Sequence, residues 1–257
     1  MTLNEGLRLK YLPVLASPEA LHLLGGLAAG VDQPLFSVDD WAMRLGDDPS
    51  AQQFVDQLRN EWLPASAPDE YCQQMMDFTR GYLEPYAGWP HLWAHLLRVT
   101  GAALALAPEA GIDLSHAFLL GIFHDIGKLD ELHSGGSHEQ IGADLALELL
   151  RDHLTRQIVT LLTNVIAKKA SPLNPYTRLI HDADKLDKIG ATGILRRLST
   201  STGTYFAALA LNRVEDDANN FPDMHFQTSH RLAESKKAFT EAFLALYVRP
   251  GSSDDVV

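Results

Sequence analysis

Eight of the eleven histidines lie between His91 and His181, so the residues best suited to acid-base work or metal binding crowd into one part of the chain. His91 and His95 are four apart, a spacing that sets both on one face of a helix, and either can offer an imidazole to an ion. A single histidine on a helix is more often an ordinary core or surface residue, so this pair carries little alone. His124-Asp125 carries more. An adjacent imidazole and carboxylate offer a borderline and a hard donor to one divalent cation. Neighbours on a helix point about 100° apart, so both reach one ion only near a helix end, where Gly127 follows. The apolar run Ala117 to Phe123 buries the approach, and a carboxylate at the end of such a run is costly unless paired or metallated. Lys128 adds an ammonium that could meet a phosphate as a point charge. A third group, His181-Asp182-Ala183-Asp184-Lys185-Leu186-Asp187, offers three carboxylates. Residue types do not choose among them, and the plain alternative is an acidic helix surface balanced by Lys185 and Lys188.

The elements that must carry these residues read as helices throughout. Beyond Glu70, apolar residues recur at three and four residue spacings with little strict alternation, which predicts helices at 71–83, 91–106, 115–123, 138–153, 155–168, 176–198, 203–212 and 229–248. The predicted 176–198 helix packs through Leu179, Ala183, Leu186 and Gly190. Ser137-x-x-Gln140 has the form of a capping box. Before Glu70, glycines and prolines break the chain into short helices, one opened by Asp48-Pro49 and running to about Trp62. The proline- and small-residue stretch from Leu63 to Glu70 is the expected boundary. The division is then a helical N-terminal segment over 1–68, a helical domain over 69–249 and a disordered tail over 250–257.

Composition narrows the function classes. A chain of 257 residues with 46% hydrophobic content can bury a full core, and with Cys72 as its only cysteine it has neither an intrachain disulfide nor a thiolate-built zinc site. The start has no secretory pattern and no apolar run approaches the roughly 20 residues a membrane span needs, so a cytoplasmic protein is expected. A net charge of −12 works against a nucleic-acid partner, although a bound metal can supply local positive charge for a phosphate substrate.

Taken together, His95, His124-Asp125 and Asp184 resemble the HD superfamily of metal-dependent phosphohydrolases, whose pattern is a histidine, a His-Asp pair and a distant aspartate. The strings around them are similar too: His95-Leu-Leu-Arg98-Val, His124-Asp-Ile-Gly-Lys128, and His138-Glu-x-x-Gly142-Ala143. The segment from Asp182 to Ile194 resembles one bacterial branch, and in it the second aspartate precedes a basic residue and leucine as the family ligand does, which selects Asp184. The resemblance covers residues 75–248 and implies an all-α helical bundle. It implies one divalent cation (Mn, Mg, Co, Ni, Fe or Zn) on His95, His124, Asp125 and Asp184. It further implies hydrolysis of a small phosphorylated substrate, expected to be a nucleotide, by water that the cation activates. Lys128 and Arg98 would contact phosphate, and His138 would transfer protons or support the ligands. Two-metal members carry a further histidine where this chain has Ala167-Lys168-Lys169, so one metal is expected and a di-iron oxygenase is not. A catalytically idle, nucleotide-binding module with the same ligands is the alternative from another class.

Overall fold

The computed structural model describes residues 38–45, 49–198, 203–219 and 224–246. Among them the architecture is all-α and no strand occurs, as the spacing of apolar residues predicts. The helices are α1 (Val38–Leu45), α2 (Pro49–Glu61), α3 (Glu70–Leu83), α4 (Trp89–Ala110), α5 (Leu114–Phe123), α6 (Lys128–Ser134), α7 (His138–Leu150), α8 (Arg156–Ile166), α9 (Pro175–Leu186), α10 (Gly190–Leu198), α11 (Gly203–Asn219) and α12 (Gln227–Ala245). The expected tail 250–257, most of the N-terminal segment and the Asp48 cap lie outside the described residues. None of the described helices is long and apolar enough to cross a membrane.

Contacts divide the chain into two units that interleave in sequence. The first contains α1, α2, α10, α11 and the larger, C-terminal part of α12; the second contains α3 to α9 and residues 223–232, where α12 starts.

In the second unit the centre is α5. Its residues from Ala117 to Phe123 are all buried, because α3, α4, α7, α8 and α9 each pack against it. A helix enclosed on every side needs no polar stripe, and the sequence LSHAFLLGIF has almost none. The crossing with α4 is close at Gly121, where an added Cβ would lie 2.6 Å from both Cα and Oγ1 of Thr100. Helix starts are satisfied by side chains: Asp69 accepts from the Cys72 amide, Asp113 from Ser115, Ser137 from Gln140, Thr155 from Ile158 and Asn174 from Tyr176. Only half of the expected capping box forms, since the Gln140 side chain donates to Asp144 Oδ1 (2.7 Å) instead of reaching back. Cys72 is a buried core residue.

In the first unit, Phe54 of α2 packs against Phe239 and Phe243 of α12. Glu61, at the end of α2 and buried, accepts from the backbone amides of Ala191 (3.0 Å) and Thr192 (3.2 Å) and from Lys236 Nζ (2.8 Å). A carboxylate at a helix N-terminus complements the exposed amides and the dipole, so Glu61 caps α10.

That cap accompanies a correction. The single helix expected over 176–198 is two, α9 and α10, separated at Asp187, Lys188 and Ile189. Gly190 takes a left-handed φ of +75°, which an L side chain resists, and its ideal Cβ would meet Glu61. Hydrophobic periodicity runs across the break because both helices bury apolar faces, so the pattern alone does not reveal it.

Candidate metal centre

Three elements of the second unit bring the expected ligands together. His95 stands in the middle of α4, His124 and Asp125 follow the last residue of α5, and Asp184 belongs to the last turn of α9. His95 Nε2 lies 3.3 Å from His124 Nε2, 3.3 Å from Asp125 Oδ2 and 3.7 Å from Asp184 Oδ1, and His124 Nε2 lies 3.4 Å from the same Asp125 oxygen. Among these residues, His95, His124 and Asp184 form a group whose donor atoms could all reach one ion. Donors bound at roughly 2.0–2.2 Å around a tetrahedral ion stand about 3.4 Å apart, which is the spacing found.

The far nitrogens of both rings are engaged. His124 Nδ1 donates to the Gly121 carbonyl (2.8 Å) and His95 Nδ1 to Asp187 Oδ2 (2.7 Å). With both rings neutral, each bond leaves the lone pair on Nε2, so two acceptors face each other at 3.3 Å. A cation between them answers that repulsion, and the partners behind the rings are those that orient metal-binding imidazoles. The donor set therefore fits a divalent metal.

Burial opposes the charge on Asp125, yet the adjoining His124, a hydrogen bond with His95 and the Lys128 ammonium hold its carboxyl far below the usual range. Burial pushes the His124 imidazole toward its neutral form, the form able to ligate. Lys128, the expected phosphate contact, lies one turn on from Asp125 and pairs with its Oδ2. Asp125 Oδ1 faces His138 Nε2 at 3.6 Å, and Glu131 Oε2 accepts from His138 Nδ1 at 2.9 Å. His138 is thus beside the cluster, with its ring fixed from behind. Gly127 serves this arrangement by its size. Its φ of −76° is ordinary, but an added Cβ would meet the His138 carbonyl oxygen at 2.5 Å.

Arg98, the other expected phosphate contact, pairs with Asp187. Its guanidinium, 10% exposed, donates to Asp187 Oδ1 from Nε (2.5 Å) and Oδ2 from Nη2 (3.2 Å). The contact it makes is therefore a buried ion pair behind His95. Burial again opposes the charge on Asp187, and Arg98 and His95 overcome it, holding that carboxyl far below its normal range. The competing carboxylates of the 181–187 segment separate cleanly: Asp184 joins His95, Asp187 orients His95, and Asp182 is buried against the start of α12. His91 takes no part in the cluster.

Two participants escape a reading of the sequence. Asp187 is one turn after Asp184, a spacing that could have signalled a shared face, but the charge run hides it among Lys185 and Lys188. Lys168 takes a left-handed φ of 55° after α8, and its Nζ donates to Glu139 Oε1 (2.7 Å), the carboxylate that also stands 3.3 Å from His138 Nε2. A lysine in that conformation has no local sequence signal.

Comparison with known proteins identifies the domain that carries these residues. The HD domain family matches residues 92–189, a span that contains every residue of the cluster. Ribonuclease Y of Mycoplasma mycoides is 37% identical over 59 residues, and Ribonuclease Y of Sulfurovum is 46% identical over 52. Those matches cover 23% and 20% of this chain but only 14% and 10% of the relatives, so the chain spans a small part of their length. An HD superfamily hydrolase from an uncultured Thermotogales bacterium superposes with a TM-score of 0.52 at 24% identity, over 68% of this chain and 90% of that one. Bacillus subtilis YpgQ in complex with ADP superposes at 0.54 and 20% identity, over 72% and 98%. These structures share the fold. Residues 92–189 thus form an HD domain, the family whose motifs the sequence resembles.

Proposed function

We propose that this protein hydrolyses a phosphate ester or anhydride, with a nucleotide as substrate and one divalent cation held by His95, His124, Asp125 and Asp184. The observation that carries the reading is the pair of Nε2 atoms 3.3 Å apart, flanked by two carboxylates. A divalent cation bound there supplies charge for a phosphoryl oxygen and lowers the pKa of water. The chain's own residues do the rest. Lys128, 37% exposed, can turn from Asp125 toward an arriving phosphate, where its ammonium offsets negative charge. His138, held by Glu131, can take or give a proton near Asp125. Arg98 and Asp187 keep His95 in one tautomer and orientation.

A nucleotide is supported by the ADP complex of YpgQ, which shares the fold. A single cation is supported by Lys168, whose ammonium meets Glu139 beside His138 and brings positive charge where a second ion would compete with it. The likeness to Ribonuclease Y favours a second reading, cleavage of an RNA phosphodiester, against which the net charge of −12 counts.

The deciding experiment is a turnover screen of the purified chain with aryl phosphate, a nucleotide panel and short RNA, each with Mn, Mg, Co, Ni, Fe and Zn. Phosphate release from a nucleotide supports the proposal, and RNA cleavage alone replaces it with the second reading. Silence with metal bound leaves an idle binding module, and two irons per chain with oxygen uptake make it an oxygenase. Asp184→Ala is expected to remove metal and activity together.

A further inference from the structure

A second group of metal-binding side chains lies elsewhere in the same unit, and it does not depend on the function proposed above. We propose that His181, Asp182 and His225 form a separate site for one borderline divalent transition ion of the Zn, Co or Ni class.

The carboxylate of Asp182 is buried and locked. Its Oδ2 accepts from the backbone amides of His225 (2.7 Å) and Phe226 (3.2 Å) and from Ser229 Oγ (2.5 Å), which uses that oxygen fully. Oδ1 faces two imidazoles, with His181 Nδ1 at 3.1 Å and His225 Nδ1 at 3.8 Å. The first distance is a hydrogen bond and the second is too long to be one. The second ring is nevertheless held in place, stacked on the first with centroids 5.0 Å apart and planes 17° from parallel. The donor atoms of the three residues all lie within 4.8 Å of one another. Around a tetrahedral ion with bonds of roughly 2.0–2.2 Å, neighbouring donors stand about 3.4 Å apart, and the two spacings to Oδ1 bracket that value.

The rest of the environment suits an ion. The side chains of His181 and His225 are 35% and 30% exposed, so solvent reaches the group and water can complete the coordination. Two imidazoles and one carboxylate favour Zn, Co, Ni or Cu over Mg or Ca, which prefer oxygen. Asp182 and Asp184 are two apart on α9 and so point about 160° from each other around it, which keeps this group apart from the His95 cluster. An ion there would join α9 to the turn before α12, a cross-link between segments 43 residues apart.

The test is metal stoichiometry. The full chain, stripped with chelator and dialysed, is titrated with Zn and separately with Co, and bound metal is counted by elemental analysis. Neither His225→Ala nor His181→Ala removes any of the three bonds that Asp182 Oδ2 accepts, so each variant retains the anchoring of that carboxylate. Either one should bind one equivalent less than the parent, and the parent alone should gain melting temperature from that equivalent. His124→Ala should lose a different equivalent and keep this one, with its Co absorption band intact. Equal stoichiometry in the parent and both histidine variants overturns the proposal, as does a band in His124→Ala that survives His225→Ala.

Discussion

His95 ligates nothing on its own: the bond from its Nδ1 to Asp187 decides which nitrogen faces the cluster, and Arg98 decides where Asp187 stands. Removing that outer support should therefore be felt at the metal. Asp187→Asn is expected to weaken metal affinity by about 10–100-fold, read by competition with a chromophoric chelator. Arg98→Ala leaves a buried carboxylate without its counter-charge and is expected to cost about 3–5 kcal/mol in a denaturant titration. A change confined to KM with stability intact would instead return Arg98 to the phosphate role that its place after His95 suggests. At this scale the residue types were legible and their partners were not. His95, His124, Asp125 and Asp184 stand out because the family string surrounds them, and the structure sets them within reach of one another. Arg98 belongs to the same string, but a string cannot tell a guanidinium that faces substrate from one that faces Asp187.

The helices succeed by enclosure. α5 is central because nothing along 117–123 asks for water, and its contact with α4 depends on Gly121 having no side chain. Gly121→Ala should push α4 and α5 apart, costing about 1–3 kcal/mol in a thermal or denaturant melt. The same residue's carbonyl holds His124, so metal affinity should fall in this variant even at temperatures where it stays folded. Helix positions were largely readable from apolar spacing, since each buries one face or all of its surface. The break between α9 and α10 was not. It is made by a left-handed Gly190 and by a cap, Glu61, that is 130 residues from Ala191 in sequence and invisible to any local window.

Across the whole chain, acid should be the destabilising condition. Burial lowers the folded pKa of His124, so the unfolded chain binds its proton more readily, and stability falls as pH drops through about 6.5. Asp125, Asp182 and Asp187 have depressed folded pKa values for reasons of pairing that outweigh burial. Their contribution is intact above about 3.9, the unfolded value, and is lost as pH falls below it toward the folded values. Denaturation midpoints at pH 7.5, 6, 5 and 3.5 should decline in two stages, and metal should dissociate over the first, because imidazole must be unprotonated to ligate. A midpoint that rises on acidification would contradict the buried, neutral His124. The enclosed helix has one more consequence. The seven residues that make α5 the centre of the unit carry no charge and no proline, and in the unfolded chain they are a short, adhesive segment. Variants that loosen the packing around α5 should accordingly disappear into aggregates before reversible unfolding can be recorded, so their yield of dispersed protein on expression will rank them in the order of their lost stability.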